Sequence, residues 1–426
     1  MKLFQQMLVA TAAVGLVAPI AAQASDIINL EEMNDYNRSK KSSFKRFDNN
    51  TFVNEVNEEL ATLKGRDDGL GVRQNDLEAG SFSDTTTLDS KLIMTLGSVD
   101  TDDGVYDGEV QAMYTYTMNL NSSFTGDDNL YVRLKTGNHS TWSKTKSEKN
   151  TYLSAGKGAT NDAISVDKIW YQGTIGEKSR FWLGPKIENY YMHATTPSIY
   201  KPVLKAFTLG GNAAAFGAST SPGAGYAYNA DNGFGFSTNF TTKSGNSKGI
   251  LGNEGGTSWA TQVGYTKPNY SISAIYNAKN NDWEDSYFQS IAGKQRSFGV
   301  DRSNSSNIGL RGWWRPDETG TATPSISLGY DTSKTDAAGA DTTTAYFVGL
   351  NWQDMFSPDD RIGVAFGQPQ TLEDEDTNPF LYEVYYEYMV NDSISVTPTF
   401  FGGTSENAAG NEVDMTGAVI NTTFKF

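Results

Sequence analysis

Read at a spacing of two, a set of charged side chains falls on one side of strand-length runs: Arg133, Lys135, Arg180, Lys186, Arg311, Arg315 and Arg361, against Glu188, Glu383 and Glu387. Charges held on one face of a wall do one kind of work well. They set a local field that sorts ions by sign, while aromatic and apolar neighbours shape the passage. A basic wall beneath acidic outer connections favours small anions. Some of these residues also stand near the ends of their runs, where long side chains can snorkel or pair with one another. Tyr131, Trp182, Trp313 and Tyr385 share that face and either stack on sugar rings or fill the wall.

Other chemistries find little support. The chain has no Cys, which argues against disulfides, thiolate chemistry and Cys-ligated metals. Its two histidines, His139 and His193, both lie in long connections, so neither is well placed as the base of a Ser–His hydrolase at a lipid edge. Asp100-Thr-Asp-Asp-Gly104 superficially resembles a calcium loop, but the distal Glu is mis-spaced, and Glu373-Asp-Glu-Asp376 reads as a charge run. No metal, cofactor or catalytic residue is expected. A formal charge of −16 argues against nucleic acid as a partner, because a phosphate backbone attracts a basic surface.

The elements that must carry the charged wall are strands. The last twelve residues show the pattern: Ala418, Ile420, Thr422, Phe424 and Phe426 alternate with Val419, Asn421, Thr423 and Lys425. Such a strand needs a partner for its free edge, and the first strand of the same chain would close a barrel. From Thr86 onward about sixteen runs alternate in this way, each near the roughly 9–11 residues of a membrane-spanning strand. Examples are Tyr114, Tyr116, Met118 and Leu120 against Thr115, Thr117 and Asn119, and Tyr382, Val384, Tyr386 and Tyr388 against Glu383, Tyr385 and Glu387.

Connections alternate in length. Short ones carry turn residues, as in Gly126-Asp-Asp-Asn129 and Ser357-Pro-Asp-Asp360. Longer ones cover roughly 100–111, 137–163, 187–223, 243–256, 279–306, 333–342, 368–379 and 403–413. Short turns at one end and long loops at the other describe an outer-membrane barrel, and about sixteen strands leave room for a channel. An aromatic-rich apolar face suits the two membrane interfaces better than a soluble sandwich does. The expected fold is an all-β, transmembrane antiparallel barrel over 83–426. The connection 187–223 holds Tyr200, Lys201, Lys205 and Phe207, too apolar for a free loop. It is expected to fold inward and narrow the lumen, with an external lid or packing against a neighbouring subunit as the alternatives.

Upstream, Lys2, the apolar run 7–22 and Ala22-Gln-Ala24 read as a secretory signal peptide over 1–24. A polar linker over 25–52 follows. Val53, Val56, Leu60 and Leu63 then fall at heptad a and d positions, continued by Leu70 and Leu77, a short periplasmic helix over 53–82. Its partners are sister copies in an oligomer, a trimer being the expected form, or it lies alone against the barrel mouth.

Several stretches, in order, resemble a known family. They are Leu60 to Arg66 through Asn75–Ser83, Phe124 to Gly137, Asp167-Lys-Ile-Trp-Tyr171, Trp182 to Tyr190, Asn351 to Phe356 and Gly363 to Pro369. They look like cyanobacterial outer-membrane porins of the OprB-type, carbohydrate-selective kind, often labelled iron-uptake porins. The resemblance implies passive diffusion of small hydrophilic solutes, inorganic ions and possible sugars or iron, with outer-membrane lipid around the barrel. Many relatives carry a wall-binding S-layer-homology domain ahead of the helix, and residues 25–50 are too short for one. Cell-wall contact through this segment does not carry over. A plugged barrel that tethers the envelope, and a barrel enzyme, are the alternatives to a channel.

Overall fold

The computed structural model describes residues 85–426, except for 140–141, 143–148, 157–161, 212–214, 218–219, 244, 252–253, 282, 284–303, 337–341, 374–376 and 407–410. The expected signal peptide, linker and periplasmic helix lie outside the described residues. Sixteen strands follow in chain order: β1 (Thr86–Thr101), β2 (Gln111–Ser122), β3 (Asn129–Gly137), β4 (Ser165–Ile175), β5 (Ser179–Ile187), β6 (Ser221–Asn229), β7 (Phe234–Thr242) and β8 (Thr257–Lys267), then β9 (Tyr270–Asn280), β10 (Ser305–Trp314), β11 (Ser325–Thr335), β12 (Thr342–Gln353), β13 (Arg361–Leu372), β14 (Phe380–Asn391), β15 (Ile394–Glu406) and β16 (Glu412–Lys425). Each pairs antiparallel with its sequence neighbours, and β1 pairs with β16, so the sheet is a closed barrel. Along the seam Leu92 stands opposite Phe424, Thr95 opposite Asn421 and Val99 opposite Gly417. Ser90 and Phe426 exchange backbone hydrogen bonds of 2.6 and 3.1 Å.

Period-two alternation sorts the side chains. Leu183, Ile272, Leu310, Leu328 and Val384 point to the outside and are exposed, as a lipid-facing surface requires. The opposite face carries Ser237, Asn239, Ser258, Gln262, Asn277, Ser327 and Glu383, all buried. Small polar residues on the inner wall are buried because parts of the long connections lie against them.

Two short turns share one construction. The Asp128 carboxylate accepts hydrogen bonds from the Phe124 and Thr125 amides, the Ser123 hydroxyl and, from β4, the Tyr171 hydroxyl. Asp360 accepts from the Met355, Phe356 and Ser357 amides and from the Tyr386 hydroxyl of β14. An Asp that gathers the free amides of its own turn does the work of a helix cap. The Thr125 amide, foremost, holds the Asp128 carboxyl well below the usual carboxylate range. For Asp360 burial pushes upward, but the Tyr386 hydroxyl and the turn amides outweigh it and leave the carboxyl lowered.

Candidate functional site: the narrowed lumen

The connection between β5 and β6 leaves the wall at Glu188 and crosses the lumen. It begins as a 3-10 turn, Asn189–Met192. The Asn189 amide is held between Asn239 (2.5 Å) and Thr241 (2.7 Å) on β7. The chain then bonds strand after strand around the inner wall. The Ala194 amide donates to Ser237 on β7, and that of Thr195 to Gln262 on β8. Trp313 on β10 donates its indole N–H to the Thr196 carbonyl at 3.1 Å. The Ile199 amide donates to Ser327 on β11 at 3.2 Å.

On the far side the anchor is Glu383 of β14, a fully buried carboxylate. It accepts from the Tyr200 hydroxyl at 2.8 Å, the Val203 amide at 3.1 Å and the Leu204 amide at 2.6 Å. The return path is held by Arg311, whose Nε donates to the Leu209 carbonyl at 2.8 Å while its Nη2 lies 2.9 Å from Asp331. The fit is close at Gly329, where an added Cβ would stand 1.9 Å from the Gly210 carbonyl oxygen. Gly210 itself has φ +77°, a conformation that favours glycine.

The β3–β4 connection also turns inward. His139 Nε2 lies 3.2 Å from Thr95 Oγ1 of β1, Asn150 donates to Ser405 of β15, and Trp142 is buried. The two connections then pair with each other. Leu153 and Leu204 form an isolated β-bridge, supported by Ser154 N–H to the Val203 carbonyl (2.6 Å) and Lys205 N–H to the Tyr152 carbonyl (2.8 Å). Burial keeps both histidines neutral, pushing His139 down to about 4 and His193 to about 3.

The sequence-derived charges separate into three groups. Arg311 and Glu383 are buried beneath the inward connection and hold it, and Tyr200 of that connection is buried against Glu383, so none of the three faces open water. Glu188 is also buried, in an ion pair with Lys168 Nζ at 2.6 Å. Arg133 pairs with Asp167 at 2.8 Å and Arg361 with Glu387 at 3.5 Å, all partly exposed. Lys135 is half-buried and Lys201 exposed, while burial lowers the pKa of Lys205. Arg180, Lys186 and Arg315 are exposed near strand ends, where they reach Asn229, the Val166 carbonyl and the Pro268 carbonyl. Lys186 does not face the lumen as its spacing suggested: the ladder shifts register between Gly184 and Ile187, so Ile187 turns inward and Lys186, opposite Ile169, turns outward. Trp182, Trp313 and Tyr385 are buried in the wall.

Sequence reasoning missed several participants. Lys168 and Asp167 sit at a register shift between β3 and β4, where simple parity fails. Trp170 stacks on Tyr131 at 4.8 Å and approaches Tyr191 at 5.8 Å, and Tyr191 in turn meets Tyr190 at 4.6 Å. Lys91 and Lys425 stand opposite each other at the seam on the lumen side. Their parity was readable, but their meeting required the register of closure.

Residues 48–420 match the family model described as "Carbohydrate-selective porin, OprB family". The chain belongs to the OprB family. An uncharacterized protein of Nostoc sp. (strain PCC 7120) is 25% identical over 423 residues, which cover 87% of this chain and 71% of that protein. Among solved structures, OprB of Pseudomonas putida superposes with a TM-score of 0.60 at 11% identity, covering 84% of this chain and 97% of that one. A loop-deletion mutant of OmpT, an outer-membrane protein of Vibrio cholerae, gives 0.51 at 10% identity over 80% of this chain and 99% of its own. A triple mutant of the Rhodopseudomonas blastica porin gives 0.50 at 9% identity over 80% and 100%. At these identities the structural likeness speaks for the fold, and the family match for the class. This OprB-family chain is an outer-membrane porin, a channel for solutes.

Proposed function

We propose that this porin gives passive, weakly selective diffusion of small hydrophilic solutes, sugars and inorganic ions among them, through a lumen narrowed on one side by the described parts of the β5–β6 and β3–β4 connections. The observation that carries the reading is the bond set at Glu383, which ties a connection leaving β5 to the wall at β14. A connection tied across a barrel subtracts cross-section from it. The remaining passage is lined by partly paired charges, Arg133, Lys135, Lys201, Lys205, Arg361 and Glu387, with Arg180 and Arg315 toward the ends. Glu188, Tyr200, Arg311 and Glu383 serve by holding the constriction. The rings of Tyr131, Trp170, Tyr191 and Tyr190 lie beside it and suit the apolar faces of sugars. Channel chemistry needs no catalytic group, and the chain works as a channel and not as an enzyme.

We also infer a homotrimer in lipid. The V. cholerae OmpT has been solved in a trimer form, with a TM-score of 0.50 to this chain. The experiment for the channel is deletion of 195–208 in protein reconstituted in a planar bilayer. Single-channel conductance is expected to rise. Unchanged conductance would overturn the constriction.

A further inference from the structure

The barrel closes on two lysines. Lys91 of β1 and Lys425 of β16 are direct partners in the seam register. Both share the parity of Thr95 and Asn421, which hydrogen-bond at 2.6 Å beneath His139 of the inward connection. Both therefore face the lumen, and both are exposed. Directly opposed residues in an antiparallel pair lie about 4.5–5.5 Å apart at Cα, and like charges in that position are destabilising. Neither lysine is in a described ion pair. The positive charges acting on Lys91 are Lys425, Arg133 and Lys201; of opposite sign are Glu387, already shared between Arg361 and Ser395, and Asp89, two residues back on the same face of β1, which accepts from Asn119 and Asn121. Arg133 is shared with Asp167. The seam thus concentrates positive charge on a chain whose formal charge is −16.

Repulsion of this kind is relieved by an anion. We propose that Lys91 and Lys425, with Arg133 and Lys201 in electrostatic reach, form a binding step for small inorganic oxyanions, phosphate being the probe, where β16 ends at the short-turn side of the lumen. The inference rests on the channel reading and gives it a preferred solute class. Rings of Lys and Arg serve anion and phosphate pores in this way, binding firmly enough to enter and weakly enough to leave.

The test uses the full-length protein in a planar bilayer under a potassium chloride gradient. Wild type is expected to show a reversal potential of anion-preferring sign, and millimolar phosphate is expected to reduce the chloride current. Lys91→Gln with Lys425→Gln should lose the phosphate effect and lower the anion-to-cation permeability ratio several-fold, while Lys91→Arg keeps both. Heat unfolding of the barrel checks folding separately, and the double Gln variant should be at least as stable as wild type because a repulsion has been removed. A conducting wild type indifferent to phosphate, or a double variant with unchanged selectivity, overturns the lysine site alone. A folded wild type that carries no current overturns the channel reading and this inference with it.

Discussion

Tyr200 and Glu383 lie 183 residues apart in sequence, and their side chains meet in a buried 2.8 Å hydrogen bond in which the phenol donates to the carboxylate. The same carboxylate takes two backbone amides, so one residue of β14 terminates a segment that starts on β5. In the proposed channel, this junction sets the width of the passage.

Replacing Glu383 by Ala leaves the Val203 and Leu204 amides without their acceptor. A buried amide left unsatisfied costs about 1–3 kcal/mol. The connection is expected to leave the wall, with larger and noisier single-channel currents and a lower heat-unfolding temperature. Glu383→Gln, which keeps one acceptor oxygen, should fall between. A variant with wild-type current noise would count against the junction as the anchor.

Arg311 and Asp331 form a pair whose side chains are almost fully buried. Breaking such a pair from one side costs about 3–5 kcal/mol, whereas replacing both members by apolar residues can be neutral. Asp331→Ala should therefore destabilise strongly, and Arg311→Met with Asp331→Leu should recover much of the loss. Comparing unfolding temperatures of the two variants tests this, and equal losses would contradict it.

The histidines make the inward connections sensitive to acid. Burial lowers both pKa values in the folded state, to about 4 for His139 and about 3 for His193, from an ordinary 6.5. A base lowered in this way favours the folded state fully above its unfolded value. That contribution is lost as pH falls from 6.5 toward the folded values, because the opened state takes up the proton first. Lys135 adds its positive charge against protonation of His139. Channel noise should rise between pH 6.5 and 4, and His139→Gln with His193→Gln should flatten the dependence. A double variant with an unaltered pH profile would locate the acid response elsewhere.

The aspartate-locked turns respond in the same direction for a different reason. Their carboxyls are lowered, so the stability they supply is present above the ordinary value of 3.8 and is lost as pH falls through the folded one. Asp128→Asn and Tyr171→Phe should each lower the unfolding temperature at neutral pH and reduce its steepness in strong acid. If Tyr171→Phe leaves stability untouched, the bond from β4 to the turn contributes nothing.

The barrel was legible in the sequence because each strand declares its two faces by itself. Leu310 outward and Arg311 inward follow from position alone, without knowledge of any other strand. The alternation of short and long connections then orients the whole. The site was less legible, because its contacts join distant stretches. Arg311 reads as a lumen charge until Leu209 and Gly210 of the β5–β6 connection are known to cover it. Asp167 and Lys168 escape parity because the β3–β4 ladder shifts register between Arg133 and Leu134. Glu383 could be assigned a face but not a partner, since Tyr200, Val203 and Leu204 arrive from a segment with no periodicity to read.

The Ser90–Phe426 closure has a consequence in time. β1 is the first strand of the barrel to be made, and its second edge is satisfied only by the last. Until β16 arrives, a row of unpaired amides and carbonyls from Lys91 to Thr101 stays open to any strand that passes. Sheet formation here cannot be completed piecemeal from the front. That edge must be kept from neighbouring strands until the barrel closes, and the final strand acts as the fastener that removes the hazard.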